Sequence, residues 1–326
     1  MDISKCNRHA LLINPPIMDF AAFDFWVRPL GLLKIAAILR TLGWSVSLID
    51  SMDRFHPLLE KQNNHRSDGR GKFYRQIIPK PNVLSHIPRF FSRYGLPKEV
   101  FHKALSDVEK PDLILVTSMM TYWYPAVKDV IDDCRQWFPH TPILLGGVYA
   151  TLCPRHAMDY CQPDGVITGE GEQKLLLWLA EQGYISKDQA DMPDTDNLPY
   201  PAYDLYTDLP HVAVMTSRGC PMRCSFCASH LLCNGYRRTN TVNVIDQIIY
   251  WIDKRQTHHF AFYDDALLLD NALSFKILLK AIIERNFELQ LHLPNGIHPR
   301  RIDKELATLM FSARVKTIRL SFETIN

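Results

Sequence analysis

The sequence predicts an α/β protein of two successive domains, and three observations carry that expectation. Short apolar runs alternate with longer stretches of helical periodicity, first over residues 1–185 and again over 211–326. The interval 186–210 separates them; its stretch 191–203 is rich in Pro and Asp, has no periodicity, and reads as a semi-rigid connection. Glycines and small polar residues follow most of the apolar runs, where a strand hands over to a helix. A chain of 326 residues has the length of two ordinary domains.

In the first domain, residues 10–14 form a buried strand stopped by Pro15 and Pro16. After Pro29 and Gly31, the residues Leu32, Ile35, Ala36, Leu39 and Leu42 fall at helical spacing, and Gly43 ends that helix. Residues 45–50, 112–117, 142–146 and 164–168 read as further strands, with helices over 124–137 and 172–182. Five such units give a parallel sheet covered on both faces, in the flavodoxin-like (Rossmann-type) order 2-1-3-4-5. Ligands of such sheets bind beyond the carboxyl ends of the strands. Those ends are Asn14 and Pro15; Asp50; Thr117, Ser118 and Met119; Gly146, Gly147 and Val148; and Gly169 and Glu170. Hydroxyls at Thr117, Ser118 and Thr121 are able to bond a nucleotide-like tail, although each position alone also suits a plain β–α turn.

Residues 54–110 read as an insertion in the second connection. They carry 12 Lys/Arg against 5 Asp/Glu, a balance of +7, in a chain whose net charge is +2. Polar turns come first, then aromatics mixed with basic residues; a lid over a ligand and a surface excursion packed by its own aromatics both fit.

In the second domain, strands are expected at 212–217, 259–263, 289–293 and 317–323. The helices between them run through Val244, Ile248, Ile249 and Ile252 (capped by Thr241 or Asn243), over 271–285, and over 303–312. The polar strand-end residues are Asp264, Asp265, Asn295, Ser321 and Glu323.

Directly after the first of these strands, Cys220, Cys224 and Cys227 stand in a C-x3-C-x2-C spacing within eight residues, with Gly219 turning the chain out of the strand. A loop this short can aim three thiolates at one group, and soft thiolates select iron–sulfur clusters, zinc or copper(I). An ordinary cubane takes four cysteines; three would leave one iron open. The plain alternative is a structural zinc site closed by His230 or Cys233.

Composition narrows the setting. With 47% hydrophobic and 22% charged residues the chain is that of a soluble globular protein. No apolar run is long enough for a membrane span, and the first residues lack the apolar centre of a signal peptide. The eight cysteines therefore belong to a reducing cytoplasm, where a clustered set means metal; Cys6, Cys134, Cys153 and Cys161 are scattered small side chains. A net charge of +2 excludes a global nucleic-acid signal. No membrane partner is expected.

The cysteine loop, with Phe226 just before its last cysteine, resembles that of the radical S-adenosylmethionine enzymes. The resemblance implies a [4Fe-4S] cluster on Cys220, Cys224 and Cys227, with S-adenosylmethionine chelated on the open iron and Phe226 beside its adenine. An electron, from a donor such as flavodoxin or ferredoxin, then releases a 5′-deoxyadenosyl radical. It also implies that the second domain is the first two-thirds of a partial (β/α)6 TIM-like barrel. In that barrel Asp264 and Asp265 meet the amino group, Ser321 and Glu323 meet the ribose, Asn295 ends the third strand, and Arg238 lies near the cluster. Because the sequence stops after the fourth strand, a barrel truncated there is expected, either a fragment or a shortened form. His258, His292 and His298 are expected at the surface or packed.

The first domain resembles the cobalamin-binding domain that precedes many such barrels. The residues that carry this are Asn14, Pro15 and Pro16, the stretch from Pro29 to Leu33, Leu48 to Asp50, Leu145 to Val148 with Ala150 and Thr151, and Gly169 to Glu172. It departs from that domain in one respect. The Asp-x-His-x-x-Gly motif, whose histidine ligates cobalt, is absent from the loop 17–26, so no cobalt-bound histidine is expected from it. The implied function is a cobalamin-dependent radical enzyme methylating an unactivated carbon of a small-molecule or peptide substrate. Other radical chemistry without methyl transfer, a non-catalytic cobalamin or cluster sensor, and a zinc-stabilised interaction module are the alternatives.

Overall fold

The computed structural model describes residues 8–59, 66, 68–191, 195–269 and 272–322. Strand β1 (His9–Asn14) is buried along its whole length and is an inner strand of a five-stranded parallel sheet. Its partners are β2 (Ser45–Asp50) on one side and β3 (Leu113–Val116) on the other; β4 (Ile143–Leu145) and β5 (Gly165–Val166) continue outward. The observed order β2-β1-β3-β4-β5 is the one expected from the pattern. Alternate residues serve the two faces. Leu11, Ile13, Ile114, Val116, Ile143 and Leu145 pack under α2 (Lys98–Ser106) and α3 (Tyr124–Trp137). Ala10, Leu12, Leu113, Leu115 and Leu144 pack under α1 (Leu30–Thr41) and α5 (Gly171–Glu181). Each such Leu or Ile contributes roughly 1.5–3 kcal/mol of burial, so the sheet centre is the firmest part of the domain. The short helix α4 (Val148–Leu152) follows β4 directly.

The region 54–110 departs from the expectation. It contains α2, the crossover helix that a β2-to-β3 connection requires. Its signal, Phe101, Ala104 and Leu105 at helical spacing after Pro97, is diluted by basic residues around it. Ahead of α2, Arg75–Ile77 and Ser92–Tyr94 join Ile17–Asp19 in a small antiparallel sheet in the order Ile17–Asp19, Ser92–Tyr94, Arg75–Ile77.

The second unit is a four-stranded parallel sheet of β6 (Val212–Val214), β7 (His259–Phe262), β8 (Gln290–Ile297) and β9 (Val315–Leu320), paired strictly in sequence order. Helices α7 (Thr241–Arg255), α8 (Leu273–Glu284) and α9 (Lys304–Ser312) connect the strands, and α7, α8 and α9 share one core with them. Leu30 and Leu33 of α1 belong to the same core, so the two units are packed together. The connection between them is tied down rather than free. The Tyr203 hydroxyl donates to the Ala213 carbonyl at 2.8 Å and accepts from its amide at 3.0 Å, and the Tyr206 hydroxyl donates to Asp50 at 2.6 Å.

Three boundaries differ from the sequence reading. Asn240, not Thr241 or Asn243, caps α7, accepting from the Val242 amide. Strand β8 runs on through Pro294, Asn295 and Gly296, with a register shift between Leu293 and Gly296 that removes the proline from regular pairing. Ser217 and Arg218 leave the sheet after β6 and pair with Arg237 and Arg238 in a separate two-stranded ribbon.

The loop 17–28 of the first domain crosses to the second sheet. Trp26 stacks on the fully buried His292 with ring centroids 3.9 Å apart, and His292 is hydrogen-bonded to His259 at 3.0 Å. Tyr263 donates to the Trp26 carbonyl and accepts from the Arg28 amide. Burial, with His259 next to it, pushes His292 down to about 3. A histidine depressed in the folded state favours unfolding as pH falls from its ordinary value near 6.5 toward about 3, by roughly 1 kcal/mol per pH unit. Replacing His292 with Gln is therefore expected to flatten the acid limb of a denaturant-stability profile between about pH 6 and pH 4. An unchanged slope would show that this contact does not set the acid sensitivity.

Candidate functional site

The ribbon of Ser217–Arg218 and Arg237–Arg238 holds the three cysteines in the loop at its end. At its neck Gly219 has φ +74°, and a Cβ there would lie 2.2 Å from the Gly235 carbonyl, so only glycine fits. Inside the loop the Cys227 amide donates to the Cys224 carbonyl at 3.0 Å, and the Ser229 amide points at the Cys227 sulfur at 3.5 Å. Cys224 is exposed, Cys220 and Cys227 are half-buried, and Phe226 and Met222 stand 70% and 54% exposed beside them. Burial pushes the Cys220 thiol up, a backbone hydrogen bond from Met222 opposes this, and Asp265, Cys227 and Cys224 add to the rise. Among the described residues, no three His, Cys, Asp or Glu side chains converge as ligands of a single ion. The fit to a cluster therefore rests on donor chemistry: three free thiols in one short loop are the soft donor set that an iron–sulfur cluster takes.

Two cavities lie at the strand ends of the first sheet. The smaller, about 120 Å³, is a slot between α1, α5 and the ends of β3 to β5. Thr117, Gly146, Gly147 and Gly169 line it together with Gly31, Gly171 and Glu172, over a floor of Leu and Ile. Gly147 has φ +96°, and a Cβ on it would meet the Ser118 carbonyl at 2.2 Å and the Ser118 amide at 2.7 Å. Neither group can retreat, because the Val148 amide donates to that carbonyl at 2.8 Å and the Ser118 hydroxyl donates to Gly146 at 2.6 Å. Gly147→Ala is accordingly expected to weaken filling of the slot by about fivefold or more through the positive-φ strain and the clash, roughly 1–3 kcal/mol. An aquacobalamin titration measures this; wild-type affinity in the variant would remove the slot from the site.

The larger cavity, about 510 Å³, lies between the two units. Asn14, Pro15 and Met119 line it as expected, and Tyr263, Pro294, Asn295 and Arg319 close it from the second sheet. Phe73 comes from the basic, aromatic segment for which a lid was one reading; the sequence pattern did not mark the other apolar walls, Ile17, Ala22, Phe23 and Phe25 from the loop that lacks the histidine motif, and Trp123 and Met120. The density of aromatics in 17–26 was the available signal. Phe25 also carries the Arg319 guanidinium over its ring at 4.4 Å.

Several expected ligand contacts are instead internal ties. Asp50 is buried behind the cavity, accepting from Asn14 (2.7 Å), Tyr206 (2.6 Å) and the Met52 amide (2.9 Å). Ser118 lines the larger cavity as expected, but its hydroxyl is spent within the fold, donating to the Gly146 carbonyl and accepting from the Ala150 amide. Val148 starts α4, and Thr121 opens the turn before α3 without lining either cavity. Glu170 is paired with Arg237 and, at 3.6 Å, with Arg218. Asp264 is buried, accepting from the Thr216 and Ser217 hydroxyls at 2.6 Å each, and so braces the exit of β6 rather than facing a ligand.

Asp265 is the exposed carboxylate of the pair. It is hydrogen-bonded to Ser229 and is among the groups that raise the Cys220 thiol. Asn295 donates to the Tyr263 carbonyl at 2.9 Å and to that of Asp264 at 3.2 Å. Arg238 lies in the ribbon and reaches the Leu267 carbonyl at 3.4 Å. Ser321 follows β9, its amide donating to Ile297. Glu323 lies outside the described residues.

Comparison with known proteins agrees with this geometry. The model of the B12 binding domain matches residues 96–176, from just before α2 into α5. The cytidylyl-2-hydroxyethylphosphonate methyltransferase of Streptomyces wedmorensis is 23% identical over 374 residues, covering 96% of this chain and 65% of that protein. The radical S-adenosylmethionine methyltransferase TsrM of Kitasatospora setae, solved with tryptophan and an S-adenosylmethionine analogue bound, superposes with a TM-score of 0.65. It is 17% identical, and the match covers 98% of this chain and 60% of that one. OxsB, a cobalamin-dependent radical enzyme solved with aqua-cobalamin, gives a TM-score of 0.61 at 14% identity over 98% of this chain and 44% of that one. The chain thus spans roughly half to two-thirds of the length of these proteins. The expected resemblance to radical S-adenosylmethionine enzymes with a cobalamin-binding domain holds for the fold, and the Streptomyces relative is a methyltransferase. Among the described residues, no helix is long and apolar enough to cross a membrane.

Proposed function

We propose that the chain is a cobalamin-dependent radical S-adenosylmethionine enzyme that methylates an unactivated carbon. The observation that carries this is a single strand end bordering both halves of the site: Tyr263 lines the interdomain cavity, and Asp265, two residues on, is hydrogen-bonded to Ser229, two residues after Cys227. The four strands in sequence order are then the first four units of the (β/α)6 barrel. When bound, the cluster supplies an electron to the sulfonium of S-adenosylmethionine, and cobalamin supplies the methyl group. Cys220, Cys224 and Cys227 would hold the cluster, and Asp265 offers its carboxylate to a cationic amino group beside it. The glycine-walled slot takes a narrow nucleotide-like tail, and the apolar cavity above it keeps water from reactive carbon. No residue of the loop 17–26 is a histidine, so cobalt receives no imidazole from there.

The test is anaerobic turnover of reconstituted protein with methyl-labelled S-adenosylmethionine and a reductant or flavodoxin. Reductant-dependent 5′-deoxyadenosine and transfer of label to the protein's corrinoid support the reading. A full cluster that releases neither would assign the chain to a non-catalytic binding role.

A further inference from the structure

The ribbon that carries the cysteines is fastened to the first domain by a compact group of charges. Arg218 pairs with Glu172 and lies 3.6 Å from Glu170; Arg237, its neighbour across the ribbon, pairs with Glu170. The side chains of Glu172 and Arg218 are only 6% and 12% exposed. Burial opposes the charge of Glu172, but Arg218 and then Lys34 outweigh it and hold the carboxyl below the usual range. The same Glu172, with Gly169 and Gly171, forms the rim of the slot. The helix after the cysteines, α6 (Ser229–Leu232), completes the contact, its Leu232 carbonyl lying against Gly169.

We propose that Glu170 and Glu172 are positioning residues for the cysteine ribbon, so that the seating of the ribbon and the shape of the slot form one coupled equilibrium. An apolar contact tolerates sliding. A buried ion pair does not, because separation leaves charge without compensation. Whatever fills the slot then steadies the cysteine loop, and whatever the loop binds tightens the slot by the same factor, since coupling between sites is reciprocal. The first half of the proposal concerns the protein alone; the second rests on the function proposed above.

The experiment uses metal-free full-length protein and follows iodoacetamide labelling of Cys220, Cys224, Cys227 and Cys233 by peptide mass spectrometry, without and with aquacobalamin. Glu172→Gln is compared with Arg237→Gln, which lies outside the slot and is more exposed, and with the exchanged pair Glu172→Arg/Arg218→Glu. Without corrinoid, both single variants are expected to label about tenfold faster than wild type, within the range typical of coupled sites, and the exchanged pair is expected to recover. Equal labelling in wild type and Arg237→Gln, with unchanged thermal unfolding, would overturn the proposal. With corrinoid, labelling is expected to slow in wild type and not in Arg237→Gln at equal corrinoid occupancy. Equal slowing would overturn the coupling. Failure of wild type to bind corrinoid would instead count against the proposed function, leaving the ribbon contact to be judged by the first comparison.

Discussion

Alanine at any one of Cys220, Cys224 or Cys227 is expected to reduce 5′-deoxyadenosine formation to below about a thousandth of wild type, equivalent to more than about 4 kcal/mol of barrier. The reason is the small number of donors. Three thiols fall within one eight-residue loop, and each is a separate anchor for a group with several metal corners. Cys134→Ala and Cys153→Ala are the controls. Burial pushes the Cys134 thiol up to about 12, so it supplies no thiolate at neutral pH and its loss touches packing alone. Cys233→Ala is the informative contrast. Cys233 sits at the ribbon neck in the field of Glu170, Asp265, Arg218 and Arg237, and full iron content without it would exclude a role as a fourth ligand. Iron content and 5′-deoxyadenosine yield, measured together, separate loss of the cluster from loss of its use.

The second large effect is on stability. Arg28 is 5% exposed, with its guanidinium 3.2 Å from Asp53, 3.9 Å from Asp50 and 4.2 Å above the Tyr206 ring. Burial disfavours its charge, but Tyr206, Asp53 and Asp50 more than offset this and hold the guanidinium protonated. Replacing it with Met leaves two buried carboxylates without their cation, which costs about 3–5 kcal/mol. In a protein of this size that is a fall in Tm of about 4–7 °C.

The loss is expected to depend on pH. Burial already raises the Asp50 carboxyl, and removing Arg28 takes away the largest influence that lowers it. A carboxyl raised in the folded state favours folding where it is protonated and loses that advantage as pH rises through its folded value. The variant should therefore lie closer to wild type at pH 5 than at pH 8 in urea titrations. A constant gap would mean that packing of the arginine stem, rather than charge compensation, is the main contribution.

Much of the fold was legible because the first sheet is buried on both faces. Its strands are continuous apolar runs, and their order follows from five β–α units. The helix α2 was hidden because only Phe101, Ala104 and Leu105 face the core while basic residues dominate its surroundings. The cysteine loop was legible because ligand spacing is a local property of the chain. The fates of Asp50, Asp264 and Glu170 were not, because each depends on partners distant in sequence: Tyr206, Thr216 with Ser217, and Arg237. A polar residue at a strand end has the same sequence appearance whether it faces a ligand or braces a neighbouring loop. The apolar cavity walls at Phe23 and Phe25, Phe73 and Trp123 come from three separate stretches of chain and are assembled only by folding.

The most direct measurement is the iron, sulfide and zinc content of protein purified and reconstituted without oxygen, with its absorbance spectrum. Cys220, Cys224 and Cys227 acting as cluster ligands require about four iron and four sulfide per chain, lost together in the alanine variants. One zinc per chain, with neither iron nor sulfide after reconstitution, would contradict the assignment of that ribbon and leave the radical chemistry without a starting point.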